Sequence, residues 1–163
     1  MTSTQVVVER HDLVSSRDFA TVRDAVHAGL GHPDFPVLAA RLAGIADPAE
    51  FRAVVAGAAG PAGLMIFLEL DLGAVVARDP DAVAFRAVRI IAGNPVTMES
   101  MVRTTPQAAA GAPVTILVFE RDDGVHLRYD TCTSLAGAEL TPDAAAHAAE
   151  LDRAVLELLD SAA

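Results

Sequence analysis

One cysteine, Cys132, stands in 163 residues, so no internal disulfide is available and a structural zinc site built on several thiolates is excluded. The fold must be held by packing. Lysine is missing altogether: all 12 cationic residues are arginine, set against 22 acidic ones. The resulting formal net charge of -10 argues against a protein that binds duplex nucleic acid. No apolar run approaches the roughly 20 residues of a membrane span, and the opening "MTSTQVVVERHD" shows no basic leader followed by a long apolar stretch. The reading from these absences is a cytoplasmic protein with no membrane or nucleic-acid partner, no cofactor and no metal. What is present is apolar: 52% hydrophobic against 21% charged residues excludes a disordered chain and suits one domain spanning residues 1–163.

Val6, Val7 and Val8 form a β-branched run that reads as a first strand. The period then changes. Phe19, Val22, Val26 and Leu30 recur at spacings of three and four, predicting a helix capped by Ser15 or Ser16 and ended at Gly29 to Gly31 in a left-handed conformation. Two short helices follow, the second with Asp47 as cap, Pro48 first and Glu50 third. Together they read as a helical insertion at about 32–60. Glycines and prolines from Gly57 to Gly63 break the pattern before "LMIFLELDL", where Leu64, Ile66, Leu68, Leu70 and Leu72 would share one strand face and Met65, Phe67, Glu69 and Asp71 the other.

"GAVVARDPDA" reads as a turn or short helix, the residues from Phe85 to Ala92 as a strand, and Gly93, Asn94 and Pro95 as a tight turn into a helix carrying Met98 and Met101. The clearest signal is "PVTILVFERDDGVHLRYDT", a hairpin that a loop so short forces to be antiparallel. In it Val114, Ile116 and Val118 oppose Thr115, Leu117 and Phe119, while Val125, Leu127, Tyr129 and Thr131 oppose His126, Arg128, Asp130 and Cys132. Thr141 and Pro142 open a last helix with a stripe of Ala144, Ala148, Leu151, Val155 and Leu158. The expected fold class is α+β: a small, mostly antiparallel sheet of about five strands, entered at Val6, Leu64, Val88, Val114 and Val125, covered by helices and closed by a C-terminal amphipathic helix.

"LMIFLELDLG", "GNP", "GAPVTILVFE" and "GVHLRYD", with Pro106 and Ala109 between the second and third, resemble the domain of unknown function 302 family over roughly residues 63–136. The resemblance implies a compact α+β fold and carries no established common activity. The matching positions are Asp71, Gly93, Asn94, Pro95, Met101, Pro113, Glu120, Gly124, Tyr129 and Asp130. Where many members have a Gly-Thr pair after the turn, this chain has Val96, Thr97, Met98 and Glu99.

Three function classes stay open. The first is non-enzymatic binding of a small molecule or protein beside the GNP turn, with Asn94 as the polar anchor and Asp71, Met98, Met101 and Tyr129 as neighbours. The second is a structural or interaction homo-oligomer, a homodimer burying whatever apolar sheet face the helices leave open. The third is a carboxylate-dependent hydrolase or isomerase using Glu69 and Asp71, which lie about 7 Å apart on one strand face, with Asn94 and Tyr129. A nucleophilic Cys132 is poorly served, because His126 on the same strand face lies about 20 Å away and another histidine, such as His11, would have to act as base.

Overall fold

The computed structural model describes residues 3–163. Five antiparallel strands, β1 (Arg10–Ser15), β2 (Met65–Asp71), β3 (Ala87–Gly93), β4 (Val114–Arg121) and β5 (Gly124–Asp130), form one sheet in the order β1-β5-β4-β3-β2. Alternation decides its two faces. Val88, Ile90, Val114, Ile116, Val118, Val125 and Leu127 point inward and are buried, under helices α1 (Phe19–Gly29), α5 (Pro95–Val102) and α7 (Pro142–Ala162). The outer face carries Arg89, Thr115, Leu117, Phe119, His126 and Arg128. Among the described residues helices reach it only at its borders: α4 (Leu72–Val76) beside β3, α6 (Cys132–Ala136), which packs on the 3-10 turn Pro106–Ala110, and the pair α2 (Phe35–Ala43) and α3 (Pro48–Ala58) at the start of β2.

The periodic segments form as their spacing predicts. All four residues of the first helical stripe and all five of the last are buried, and Asp47 and Thr141 cap their helices by accepting from Ala49, Glu50 and Ala144 backbone N–H groups. The far end of α7 is held as well: the Ser15 hydroxyl donates to the Ala163 carbonyl, and Arg17 places a cation on the Ala162 carbonyl at 3.0 Å, where the helix dipole favours positive charge.

Four expectations are corrected. The first strand is Arg10–Ser15; Val6, Val7 and Val8 lie outside any strand and Val7 is 92% exposed. Pairing with β5 selects Leu13 and Ser15 for the inner face and Arg10, Asp12 and Val14 for the outer, a two-faced pattern the valine triplet lacks. Ser15 therefore belongs to β1, and Asp18 caps α1 by accepting from Thr21 N–H at 3.1 Å. In β2 the register shifts between Ile66 and Leu68. The extra residue, Phe67, reverses the alternation: Ile66 pairs with inward Ala92, whereas Leu68 and Leu70 pair with outward Ile91 and Arg89 and are 51% and 40% exposed. Finally, β5 stops at Asp130 because the Thr131 side chain caps α6, and Cys132 turns inward to full burial rather than joining His126 and Arg128.

Helices α2 (Phe35–Ala43) and α3 (Pro48–Ala58) build a second, smaller apolar cluster in which Leu38 and Val55 meet Met65 at the start of β2. Phe35 stacks on the bulge residue Phe67 at 4.3 Å between ring centroids. The chain leaves for these helices at Gly31 and returns at Gly60. Both N–H groups donate to the Leu64 carbonyl at 2.9 Å. Neither glycine has a positive φ, so the expected left-handed ending is not what selects them. The need is for space: a Cβ on Gly31 would lie 1.9 Å from the Ala58 carbonyl oxygen, and one on Gly60 would lie 2.2 Å from the Leu30 carbonyl carbon.

Candidate functional site

On the open face, β3, β4 and β5 form the floor of a concavity of about 510 Å³. Leu72 of α4 forms one wall, and Pro113 with Leu135 of α6 forms the other. Register brings Arg89, Leu117, Arg128 and Asp12 into one row across β3, β4, β5 and β1, with Asp130 and Arg10 paired in the neighbouring row. Three guanidinium groups thus converge in a chain that is acidic overall. Two of them are neutralised. Arg10 donates from Nε and Nη2 to the two oxygens of Asp130 at 2.6 and 2.7 Å, and Arg128 donates to Asp12. Arg89, an exposed side chain between Leu70 and Leu117 in its row, has no carboxylate partner among the described residues.

The carboxylates respond to this company. The hydrogen bond from Arg10 holds Asp130 below the usual carboxylate range against a smaller opposing effect of burial. Burial pushes Asp12 up, but the hydrogen bonds from Arg128 and His126 outweigh it and leave the group lowered. His126 stacks on Phe119 and is gripped by Asp123 at 2.9 Å and Asp12 at 3.1 Å. The bond to Asp123 is the larger cause raising its pKa above the ordinary 6.5, with burial opposing and Asp12 adding to it. A raised pKa means that the folded state holds the proton more tightly. The stability it contributes is complete below pH 6.5 and fades as pH climbs through the folded-state value. An NMR titration of the His126 ring is expected to show a midpoint above 6.5, and His126→Gln should remove that part of the decline in stability.

The structure does not gather Asp71, Asn94, Met98, Met101 and Tyr129 around one space. Asp71 caps α4 by accepting from Ala74 N–H at 2.8 Å. Asn94 follows the opposite end of β3, about 20 Å along the strand. The Asn94 side chain is committed to architecture: its Oδ1 accepts from Val96 and Thr97, and its Nδ2 donates to the Gly63 carbonyl at 2.8 Å, tying α5 to the turn before β2. Met98 is 38% exposed while Met101 is at 0% in the core. Glu69 is also engaged, 2.5 Å from His27 Nε2 of α1, so the carboxylates Glu69 and Asp71 face different partners.

Tyr129 belongs to a buried network around Asp152 of α7. The Tyr129 hydroxyl, Cys132 N–H, Thr133 N–H and Thr133 hydroxyl all donate to the Asp152 carboxylate, at 2.5, 2.7, 3.0 and 2.5 Å. Asp152 therefore caps α6 from another helix and fixes the strand that precedes it. Burial, reinforced by the Asp152 hydrogen bond, raises the Tyr129 pKa. Burial beside the same carboxylate pushes the Cys132 thiol up to about 12, leaving it without thiolate character near neutrality. Asp152 escapes a reading by apolar stripe because it is polar, yet its position four residues after Ala148 and three before Val155 marks it as inward.

Among the described residues, no cluster of three or more His, Cys, Asp or Glu side chains is arranged to hold a metal ion. None of the helices there is long and apolar enough to cross a membrane. The family model described as "Domain of unknown function DUF302" matches residues 41–161. Among solved structures, the chain is similar to an uncharacterized conserved protein DUF302 from Bacillus stearothermophilus, with TM-score 0.65 and 10% identity over 94% of this chain and 98% of that one. At that identity the likeness is one of fold. No curated protein matches the chain.

Proposed function

The chain belongs to the DUF302 family, and we propose that it works as a non-enzymatic binding module in the cytoplasm, taking a small molecule on the outer face of its sheet. In this reading residues 1–163 act as one domain, with residues 32–60 as a helical insertion beside the site. The observation that carries it is Arg89. Of the three guanidinium groups that line the concavity, two are each matched by an aspartate, and this one stands free on its floor between apolar walls. A few polar groups set among apolar ones in a space of several hundred Å³ is the usual composition of a ligand pocket. The region of the GNP turn supports the reading less well, since Asn94 uses both ends of its amide on backbone groups.

The test is an amide chemical-shift map of the protein against a library of small metabolites. Shifts centred on residues 72, 87–92, 114–117, 128–130 and 135 are the expected result. Shifts clustered at residues 93–101, or on the outer face of α7, would move the site elsewhere.

A second reading draws support from Leu68 and Leu70, which the β2 bulge turns outward beside Arg89. There the face would be closed by another copy of the chain, as a homodimer. Sedimentation across a hundredfold concentration range separates the two: dimerisation that protects Leu68 and Leu117 favours self-association, and a persistent monomer favours the ligand.

A further inference from the structure

We infer that the outer-face concavity selects a monoanionic amphiphile, a carboxylate head held by Arg89 and Thr115 with a short apolar chain lying along Leu117 toward Leu72; this rests on the binding-module reading above. Charge sets the head group. Arg10, Arg89 and Arg128 oppose Asp12 and Asp130, which leaves one positive charge on this part of the surface for a single negative charge to balance. A dianion such as phosphate would exceed that balance and meet Asp130, which also lines the space. The guanidinium fork accepts two carboxylate oxygens side by side. The Thr115 hydroxyl, on the neighbouring strand and one row along, supplies a further donor.

The walls set the rest of the molecule. Leu72, Pro113, Leu117 and Leu135 present carbon surface around the charged centre, which a bare ion would leave wet and a chain would cover. A short chain already covers these four side chains, and the added length of a longer one would extend into solvent on the open side with no further carbon surface to bury. The recognised class is therefore a short-chain or medium-chain carboxylic acid in its ionised form. Its attraction to Arg89 is an exposed charge contact and weakens with added salt.

The experiment titrates the full chain with butyrate, hexanoate and octanoate, and in parallel with octylammonium, 1-octanol and inorganic phosphate, following amide shifts. Octanoate is expected to shift Arg89, Thr115 and Leu117. Affinity should rise with each added methylene, by up to about fourfold, and fall at high salt. Arg89→Gln should weaken octanoate at least tenfold, Arg89→Lys less, both with an unchanged thermal midpoint because Arg89 is exposed and makes no ion pair. Equal shifts from octylammonium or 1-octanol at these residues would overturn the anion assignment while leaving the binding face in place. Phosphate binding there without octanoate binding would overturn the amphiphile. Silence of these residues toward all six probes would overturn both this inference and the reading it rests on.

Discussion

Replacing Asp152 with alanine is expected to lower the stability of the folded chain by about 3–5 kcal/mol, with a large fall in the urea midpoint. The carboxylate collects four donors from three residues, and truncation takes the acceptor from Thr133 N–H and the Tyr129 hydroxyl and leaves Cys132 N–H only its longer bond to the Tyr129 oxygen at 3.2 Å. An unsatisfied buried donor costs about 1–3 kcal/mol. The sum is held below a simple addition because Thr133 is exposed and water can reach it. Tyr129→Phe, which removes one donor and leaves the carboxylate its other three, should cost about 1–2 kcal/mol. Asn in place of Asp152 keeps the volume and one acceptor oxygen and should fall between the two. A loss under about 1 kcal/mol for Asp152→Ala would mean that the network is solvated, contrary to its burial.

Ending the chain at Thr141 is expected to abolish cooperative unfolding altogether. Helix α7 buries Ala144, Ala148, Leu151, Val155, Leu158, Leu159 and Ala162 against the inner face of the sheet and the helices beside it. Without it, Val26 of α1 and Met101 of α5 lose the surface that completes their cluster. The same interface can be probed gently: Leu151→Ala should cost about 2–4 kcal/mol, while Glu150→Ala, one residue earlier but exposed, should stay within about 0.5 kcal/mol. Equal thermal midpoints for the truncated and full-length chains would show that the helix is an appendage.

How much of this was legible depends on whether the determining contact is near in sequence. The stripe of α7, the caps at Asp47 and Thr141 and the β4–β5 hairpin follow from spacings within a few residues, and the structure reproduces them. The first strand is set by pairing between Arg10 and Asp130, 120 positions apart, and valine propensity pointed to the wrong triplet. The bulge at Phe67 is likewise non-local, because stacking on Phe35 and the register of β3 fix it. An unbroken alternation through "LMIFLELDL" therefore put Leu64 and Leu70 on one face. For the site, Asn94 advertised itself through the GNP turn, whose job proves to be capping α5 and clasping Gly63. Arg89 sent a plainer signal, a lone charge in "AVRIIAG", but which face it pointed to and what stood around it came only with the sheet order.

Gly31 and Gly60 touch back to back, and this fixes how the chain can be edited. Because the two feet of the α2–α3 excursion are bonded to one carbonyl, the distance between them is settled whatever lies in between. The closure entropy of such a loop grows only with the logarithm of its length. Residues added between α2 and α3 can therefore be accommodated without moving the strand that carries Arg89. The junction is a socket for the loop that joins α2 to α3, not for the helices themselves, because Phe35 on Phe67 and Leu38 and Val55 on Met65 keep β2 in its register.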